Sequence, residues 1–432
     1  MHALLLAALA TATTALDPLA ARLAAHKVLR EQGRATPAAL LEAHTKSLDE
    51  RERRFAKDLV AACDRHAAEI DAVLDETCSK RPRGSTRQAL RLGVAQLLFF
   101  DGVPDRAAVD TSVQLCRRRG GNAGLANGVL RRLARDKPSV EAGKPLLYAL
   151  LVQDRGETLA ERYLEACKVS PLLQVTCASS TMSNELVAAV EGISMEMGEL
   201  GAALRPSERT PVPALPFFDE GGWWAQDCGA AQAARLLYSL PKGATVLDMC
   251  SAPGGKALQL ASYGFKVVAV EKSPKRAKRL AQNIERCHAQ IEVRVQDALS
   301  VTELFEGVLV DAPCSATGTA RRRPDVLRKE PDLEALAATQ AALLDAGWRC
   351  LAPGGLLVFS SCSALTADAE ASAGAFLERT VDATIVPVDV NELDGAFDAA
   401  CVQNGALRLW PWHVAGAQGG CDAHYALRFR KE

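Results

Sequence analysis

The alternation of apolar and polar positions changes period twice along the chain. From Asp17 to about Lys137, apolar residues recur at three- and four-residue intervals in ARLAAHKVLREQ, LDERERRFAKDLVAACDRHAAEIDAVLDET, RQALRLGVAQLLFF and DRAAVDTSVQLCRR. That is the period of amphipathic helices, and Gly33, Pro82, Gly102 and Gly120 break them, so the segment predicts a compact helical bundle. Between Pro138 and Gly222 the pattern is mixed, with a helix at ETLAERYLEAC, a strand at LLQVTC, a helix at NELVAAVEG and the proline-rich approach PVPALP. Beyond it TVLDM, GFKVVAVE, IEVRVQD, GVLVDAPC and LLVFSSC read as strands, with KSPKRAKRLAQNIERC and LEALAATQAALLDAGWRC as helices among them. ATIVPVDV and HYALRFRK add two strands, which predicts an α/β fold with a seven-stranded, mostly parallel sheet and helices on both faces.

At 432 residues, 48% hydrophobic and 24% charged, the chain has the composition of a globular protein and room for two or three domains. A net charge of −1 does not announce a nucleic-acid binder, but its distribution is uneven. Residues 17–137 carry 23 Lys plus Arg against 16 Asp plus Glu, so a basic module is joined to an acidic remainder. The thirteen cysteines show no C-x-x-C and no Cys/His ligand spacing, which argues against a metal site and for reduced thiols in the cytoplasm. Residues 1–16 lack Lys and Arg and read as an Ala-rich leader, with a plastid or mitochondrial targeting segment as the alternative. No stretch is long and apolar enough to predict a membrane span.

The chemistry gathers on TVLDMCSAPGGKA, residues 245–257, which reads as a strand, a tight loop and a helix start. Glycines at 254 and 255 let backbone approach a ligand closely, and the free N–H groups of the next helix point into the crevice at the strand ends. A P-loop would need Gly at 250 and Ser or Thr at 257, where this chain has Cys250 and Ala257, and G-x-G-x-x-G is absent. The loop therefore suits a ligand other than a triphosphate or NAD. Four successive strands close on an acid, at Asp248, Glu271, Asp297 and Asp311, and Glu271 stands where a ribose would be held.

CSAPGGK, DAPCSATGTARRRPD and FSSCS resemble the motifs of S-adenosylmethionine-dependent RNA cytosine-5 methyltransferases of the Sun (RsmB, Fmu) ribosomal RNA type, from about Gly221 to the end. Upstream, ALRLGVAQLLF, VPDRAAVDTSVQL and LANGVLRRLAR resemble the NusB-like RNA-binding domain of that type. The resemblance implies a Rossmann-like class I methyltransferase domain over residues 222–432, a NusB-like domain over 17–137, and between them a linker with a small α+β RNA-binding subdomain over 138–221. It implies that Asp248, Cys250, Ser251, Ala252, Pro253, Gly254, Gly255, Lys256, Glu271, Arg276, Asp297 and Asp311 hold S-adenosylmethionine, with Glu271 at the ribose and Asp297 near the adenine. Cys362 would be the nucleophile, Cys314 would assist release of the methylated product, Asp311 would bind the base, and Lys256 would orient groups between cofactor and substrate.

RNA, ribosomal RNA foremost, is the implied partner of a monomeric enzyme. Arg321, Arg322 and Arg323 would contact its phosphates, as would Arg131 and Arg132 in the basic cluster with Arg117, Arg118, Arg119 and Arg135. A solvated arginine face, a buried apolar cysteine and an ordinary helix-start lysine are the plainer alternatives. Trp223 and Trp224 read as core or rim packing sooner than as stacking platforms, and Gln226 and Asp227 hold positions beside the cofactor. The chain departs from the pattern in three places. Gln174, Val175 and Thr176 replace Arg-Val-Asn. Residues 364–369 replace Asn-Pro-Glu-Glu-Asn, although Glu370 remains. Asp422, Ala423, His424 and Tyr425 replace Asp-Gly-Phe-Phe. Transfer RNA methylation, and a non-catalytic RNA-binding or assembly factor, are the competing functions. A DNA cytosine-5 enzyme would use Cys314 as nucleophile and have no need of Cys362.

Overall fold

In the computed structural model, which describes residues 18–33, 35–138, 143–206, 210–395, 397–414 and 420–432, the chain divides into two compact units, Met1–Pro145 and Leu146–Glu432. The leader expected at residues 1–16 lies outside the described residues.

The first unit is helical: Ala20–Glu31, Pro37–His44, Glu50–Arg65, Ala67–Thr77, Gly84–Phe99, Asp105–Arg118 and Ala123–Asp136. Local chemistry starts several of these. Thr36, Asp49 and Asn122 each accept a backbone N–H of the first turn, and Pro37 supplies a ready-made helical φ. Leu59, Ile70, Leu74, Leu90, Leu115 and Leu130, all fully buried, form the core that the three- and four-residue spacing predicts. The long run around residues 50–77, expected as one stretch, is broken at His66 (φ −106°, ψ 25°). The His66 ring stacks on Phe99 at 3.8 Å and its Nδ1 meets Glu69 at 3.0 Å, so a tertiary contact turns the backbone where periodicity alone runs on. Arg131 and Arg132 are exposed on the last of these helices, and Arg132 pairs with Asp136 at 3.5 Å.

The second unit begins with two helices, Leu146–Arg155 and Glu157–Lys168, followed by a small antiparallel sheet. Its strands β1 (Leu173–Cys177), β2 (Gly192–Glu196), β3 (Gly201–Pro206) and β4 (Trp223–Ala225) lie in the order β2-β3-β1-β4. Of these elements, β1 and the helix Ser180–Ala189 are legible in the sequence pattern. β2 is an edge strand with exposed positions, and β3 is built on Ala202 and Ala203, which carry little strand preference.

The large sheet comprises β5 (Thr245–Met249), β6 (Lys266–Val270), β7 (Ile291–Arg294), β8 (Phe305–Asp311), β9 (Leu351–Ser361), β10 (Ala383–Ile385), β11 (Val402–Gln403), β12 (Ala406–Leu409) and β13 (His424–Lys431). Its order is β11-β12-β13-β9-β8-β5-β6-β7, with β10 also on β13. β7, β6, β5, β8 and β9 run parallel, and β13 returns antiparallel. Nine strands replace the expected seven. The added pair, β11 and β12, turns on Asn404-Gly405, both at positive φ, and this Asn-Gly hairpin signal stands in the sequence. Successive residues serve opposite faces. Val246, Leu309 and Val358 pack on one core, while Leu247, Val308, Val310, Leu357 and Phe359 pack on the other. Among the described residues no helix is long and apolar enough to cross a membrane.

Phe376, fully buried, packs edge-on against Trp348 at 5.4 Å and Phe429 at 5.1 Å. Phe376→Ala is expected to destabilise the second unit by about 3–5 kcal/mol. Tryptophan fluorescence in a urea titration checks this, because all five tryptophans lie in that unit and report on it alone.

Candidate active site

β5 lies at the point where the strand order reverses, with β6 and β7 on one side and β8 and β9 on the other, so a crevice opens at the carboxyl ends of these strands. There the chain leaves Met249, turns through Cys250 at φ 63° and enters the helix Gly255–Tyr263. Position 254 requires glycine twice over: φ is 107°, and a Cβ would stand 2.7 Å from Leu280 Cδ1. Two side chains of the helix Pro274–Arg286 fasten the loop. Arg276 Nη2 donates to Ala252 O at 2.6 Å and Asn283 Nδ2 to Pro253 O at 2.8 Å. Asn283 is not among the residues the sequence singles out, although it stands two helical turns beyond Arg276 and so shares its face.

The acids differ in what they have left to offer. Asp248 is buried, and its Oδ2 accepts Ser251 Oγ at 2.7 Å. Burial pushes its carboxyl up to about 7, opposed by the Ser251 bond and reinforced by the charge of Asp311. Glu271 accepts Ser273 N at 2.9 Å on Oε1, while Oε2, which lies 3.4 Å from Arg276 Nη1, accepts no hydrogen bond. Asp297 caps the short turn Ala298–Ser300 and holds Lys272 Nζ at 2.6 Å, so both its oxygens are engaged. Glu271, Arg276, Asp297 and Cys250 line a cavity of about 640 Å³, closed on its apolar side by Leu299, Pro313 and Leu343. Glu271 Oε2 and Asp248 Oδ1, buried acceptors with no donor, fit a ligand that brings its own hydroxyl and ammonium donors, as S-adenosylmethionine does.

Beside the cavity, β8 and β9 pair with Asp311 opposite Ser360. Asp311 Oδ1 accepts Ser360 Oγ at 3.1 Å and Oδ2 accepts Lys256 Nζ at 2.8 Å. Burial disfavours both charges, yet their mutual attraction outweighs it, holding the carboxyl below its usual range and the ammonium above its own. The same register brings the following loops together, with Cys314 Sγ 3.3 Å from Cys362 Sγ. The hydrogen bond from Cys362 lowers Cys314, although burial opposes it, and Cys314 takes the first negative charge of the pair. That contact, then burial, pushes Cys362 well above the ordinary thiol range.

The cysteine loops are held from several sides. Asp368, in the segment that departs from the family pattern, accepts Ser315 N at 2.6 Å and Ser363 Oγ at 2.5 Å. Glu370 pairs with Arg408, which also donates to Ser363 O at 2.6 Å. A Cβ at Gly318 would lie 2.1 Å from Ala423 O, which shows how closely the loop approaches β13. Asp368 carries no periodic or motif signal, because its partners come from two separate loops.

One expectation is corrected. Arg321 is fully buried, with Nη2 at 3.2 Å from Asp227 and 3.5 Å from Asp422, so it is a counter-ion to two carboxylates and not a phosphate contact. Arg322 reaches the same Asp422 carboxylate from a half-exposed position, and Arg323, also partly exposed, lies 3.5 Å from Asp325. Trp223 and Trp224 are both buried, with Trp224 Nε1 donating to Gln226 Oε1 at 2.6 Å. Among the described residues no group of His, Cys, Asp and Glu is arranged to hold a metal.

Comparison with known proteins agrees with this geometry. The family model described as 16S rRNA methyltransferase RsmB/F matches residues 236–421, and that of the NusB family matches residues 10–135. The ribosomal RNA small subunit methyltransferase B of Xanthomonas campestris pv. campestris is 36% identical over 403 residues, 87% of this chain and 92% of that protein. The protein of the same name from Xylella fastidiosa strain 9a5c is 36% identical over 424 residues, covering 93% of this chain and 97% of its own. The crystal structure of PH0851 shares the fold, at a TM-score of 0.75 and 21% identity, over 96% of this chain and 99% of that one. A Gly-Gly crevice with strand-end acids beside two loop cysteines, in a chain alike over most of its length to these relatives, has one reading: the chain belongs to the RsmB/F family of 16S rRNA methyltransferases, whose cofactor is S-adenosylmethionine.

Proposed function

We propose that this protein methylates carbon 5 of a cytosine in small-subunit ribosomal RNA, in the cytoplasm and as a monomer, through a covalent cysteine adduct. The observation that carries the reading is the pair of thiols 3.3 Å apart beside the Lys256–Asp311 ion pair. Carbon 5 of cytosine is a poor nucleophile until a thiolate adds at carbon 6 and turns the ring into an enamine. Cys362 makes that bond, and its proton passes across the sulfur contact to Cys314, which holds the first negative charge. Asp311, fixed by Lys256 and Ser360, accepts the amino N–H of the base, while the ring nitrogen takes a proton from water and gives it back when the adduct breaks down. When bound, S-adenosylmethionine supplies an electrophilic methyl group. Water then takes the carbon-5 proton, the sulfur–carbon-6 bond breaks with its electron pair going to Cys362, and Cys314 returns its proton to that sulfur as the aromatic product leaves.

A second reading is favoured by the charge order within the pair. Because the first negative charge rests on Cys314, that residue could instead be the one that adds to carbon 6. Replacing each cysteine separates the two. With labelled S-adenosylmethionine and unmodified ribosomal RNA, Cys362→Ala is expected to abolish 5-methylcytidine, and Cys314→Ala to accumulate a covalent protein–RNA adduct visible as a retarded band. The opposite pattern assigns the nucleophile to Cys314. RNA binding without methylation of ribosomal or transfer RNA by the wild type makes the scaffold reading the better one.

The arginines divide by burial. Arg131 and Arg132, exposed, are proposed to contact RNA phosphates, as are Arg322 and Arg323. Replacing Arg131 and Arg132 by Ala is expected to lower the slope of log affinity against log salt by about 1 for each phosphate no longer neutralised, with thermal stability unchanged. Arg321→Ala is expected instead to cost about 3–5 kcal/mol of stability by removing the buried counter-ion of Asp227 and leaving Asp422 with Arg322 alone, which a thermal melt reads directly.

A further inference from the structure

His424 opens β13, where the sequence departs from the aromatic pair of the family pattern, and its ring is buried against the active site. Its Nε2 lies 2.8 Å from Ser360 Oγ, and Ser360 Oγ lies 3.1 Å from Asp311 Oδ1. A hydroxyl has a single hydrogen. The Asp311 carboxylate can only accept, so Ser360 gives its hydrogen there and must receive one from His424. Nε2 therefore carries the imidazole proton. Nδ1 is buried and has no hydrogen-bond partner among the described residues, so a second proton would have nothing to receive it. Burial, with Lys256, Arg408 and Arg322 facing the ring, keeps it neutral, and Asp311 opposes this only in part. The result is an oriented chain: His424 Nε2–H to Ser360 Oγ–H to Asp311 Oδ1, with Lys256 holding the other oxygen.

We propose that His424 is a positioning residue: an Nε2–H donor that aims the Ser360 hydroxyl at Asp311 and so fixes the carboxylate edge that meets the base. The proposal rests on the cytosine-5 function, in which Asp311 binds the cytosine. Packing alone would be satisfied by phenylalanine, which fills the same space and cannot donate. Glutamine can bring an amide N–H to the place of Nε2. Without the donor, Ser360 loses the bond that orients and polarises its hydroxyl, its hydrogen bond to the charged form of Asp311 weakens, and the proton affinity of the carboxylate rises. The groups that face Asp311 and would share the change are Lys256, His424, Asp248, Cys250 and Cys362.

The test has two readouts on full-length wild type, His424→Phe, His424→Gln and Ser360→Ala. The first needs no turnover: side-chain ¹⁵N spectra of His424 between pH 5 and 8, and the carboxyl ¹³C titration of Asp311. A single Nε2–H tautomer that does not titrate is expected in wild type. The Asp311 midpoint should rise by roughly half a pH unit to one unit in His424→Phe and return in His424→Gln. The second is the pH profile of methyl transfer, whose acid limb should move to higher pH in His424→Phe by about the same half to one unit, with KM for RNA unchanged. An Nδ1–H tautomer, or an Asp311 midpoint and acid limb unmoved by His424→Phe, overturns the proposal. If His424→Phe fails to fold, Ser360→Ala breaks the same chain from its other end and is read in the same way. A wild type that makes no 5-methylcytidine sinks the cytosine-5 reading, while the tautomer and the carboxyl titration still decide the hydrogen-bond chain.

Discussion

The parallel pairing of β8 with β9, which sets Asp311 directly opposite Ser360, is the constraint on which the site depends. Side-chain period in a strand is two, so a slip of one residue would turn Asp311 and Ser360 to opposite faces and carry the cysteines apart. The register is held by the core beneath it. Val308, Val310, Leu357 and Phe359 bury completely on one face, and Leu309 and Val358 on the other, so each strand is packed between two cores whose side chains interdigitate in this register. From this one alignment follow the Ser360–Asp311 hydrogen bond, the reach of Lys256 to the second carboxylate oxygen, and the approach of Cys314 to Cys362.

Around that register the protein places charges where water is scarce and then neutralises each one. Lys256 answers Asp311, Arg321 answers Asp227 and Asp422, and Arg408 answers Glu370. Buried pairs of this kind add little net stability over apolar substitutes, yet the loss of one partner is costly, so they act to hold loops in one arrangement. Arg321 and Arg408 do this for the two loops that carry the cysteines. The exceptions are Asp248 Oδ1 and Glu271 Oε2, which accept no hydrogen bond among the described residues and stand at the crevice beside β5.

Much of this is legible in the chain. The helical period of residues 17–137, the alternation after 222, the Gly-Gly turn at 254–255 and an acid at the end of each of four strands are local patterns, and local sequence carries them. The two loop cysteines stand out because each follows a strand directly. Other elements are less visible. β2 and β3 are short, one exposed at an edge and the other rich in alanine, so neither offers an apolar alternation. The β11–β12 hairpin does carry an Asn-Gly mark, but its strands of two and four residues are too short to show a period around it.

The sequence by itself determined most of the helices and the parallel strands, the crevice at the carboxyl ends of those strands, and which residue types stand there. All of these depend on neighbours a few positions away. The tertiary structure alone decided which arginine of Arg321, Arg322 and Arg323 is a counter-ion, since Asp227 and Asp422 lie 94 and 101 residues from Arg321. It also decided that Cys314 and Cys362 meet across 48 residues of chain, and that His424 stands behind Ser360 across 64. Charge, burial and hydrogen-bond direction are properties of what meets in space, and no local pattern records which distant carboxylate or hydroxyl will arrive.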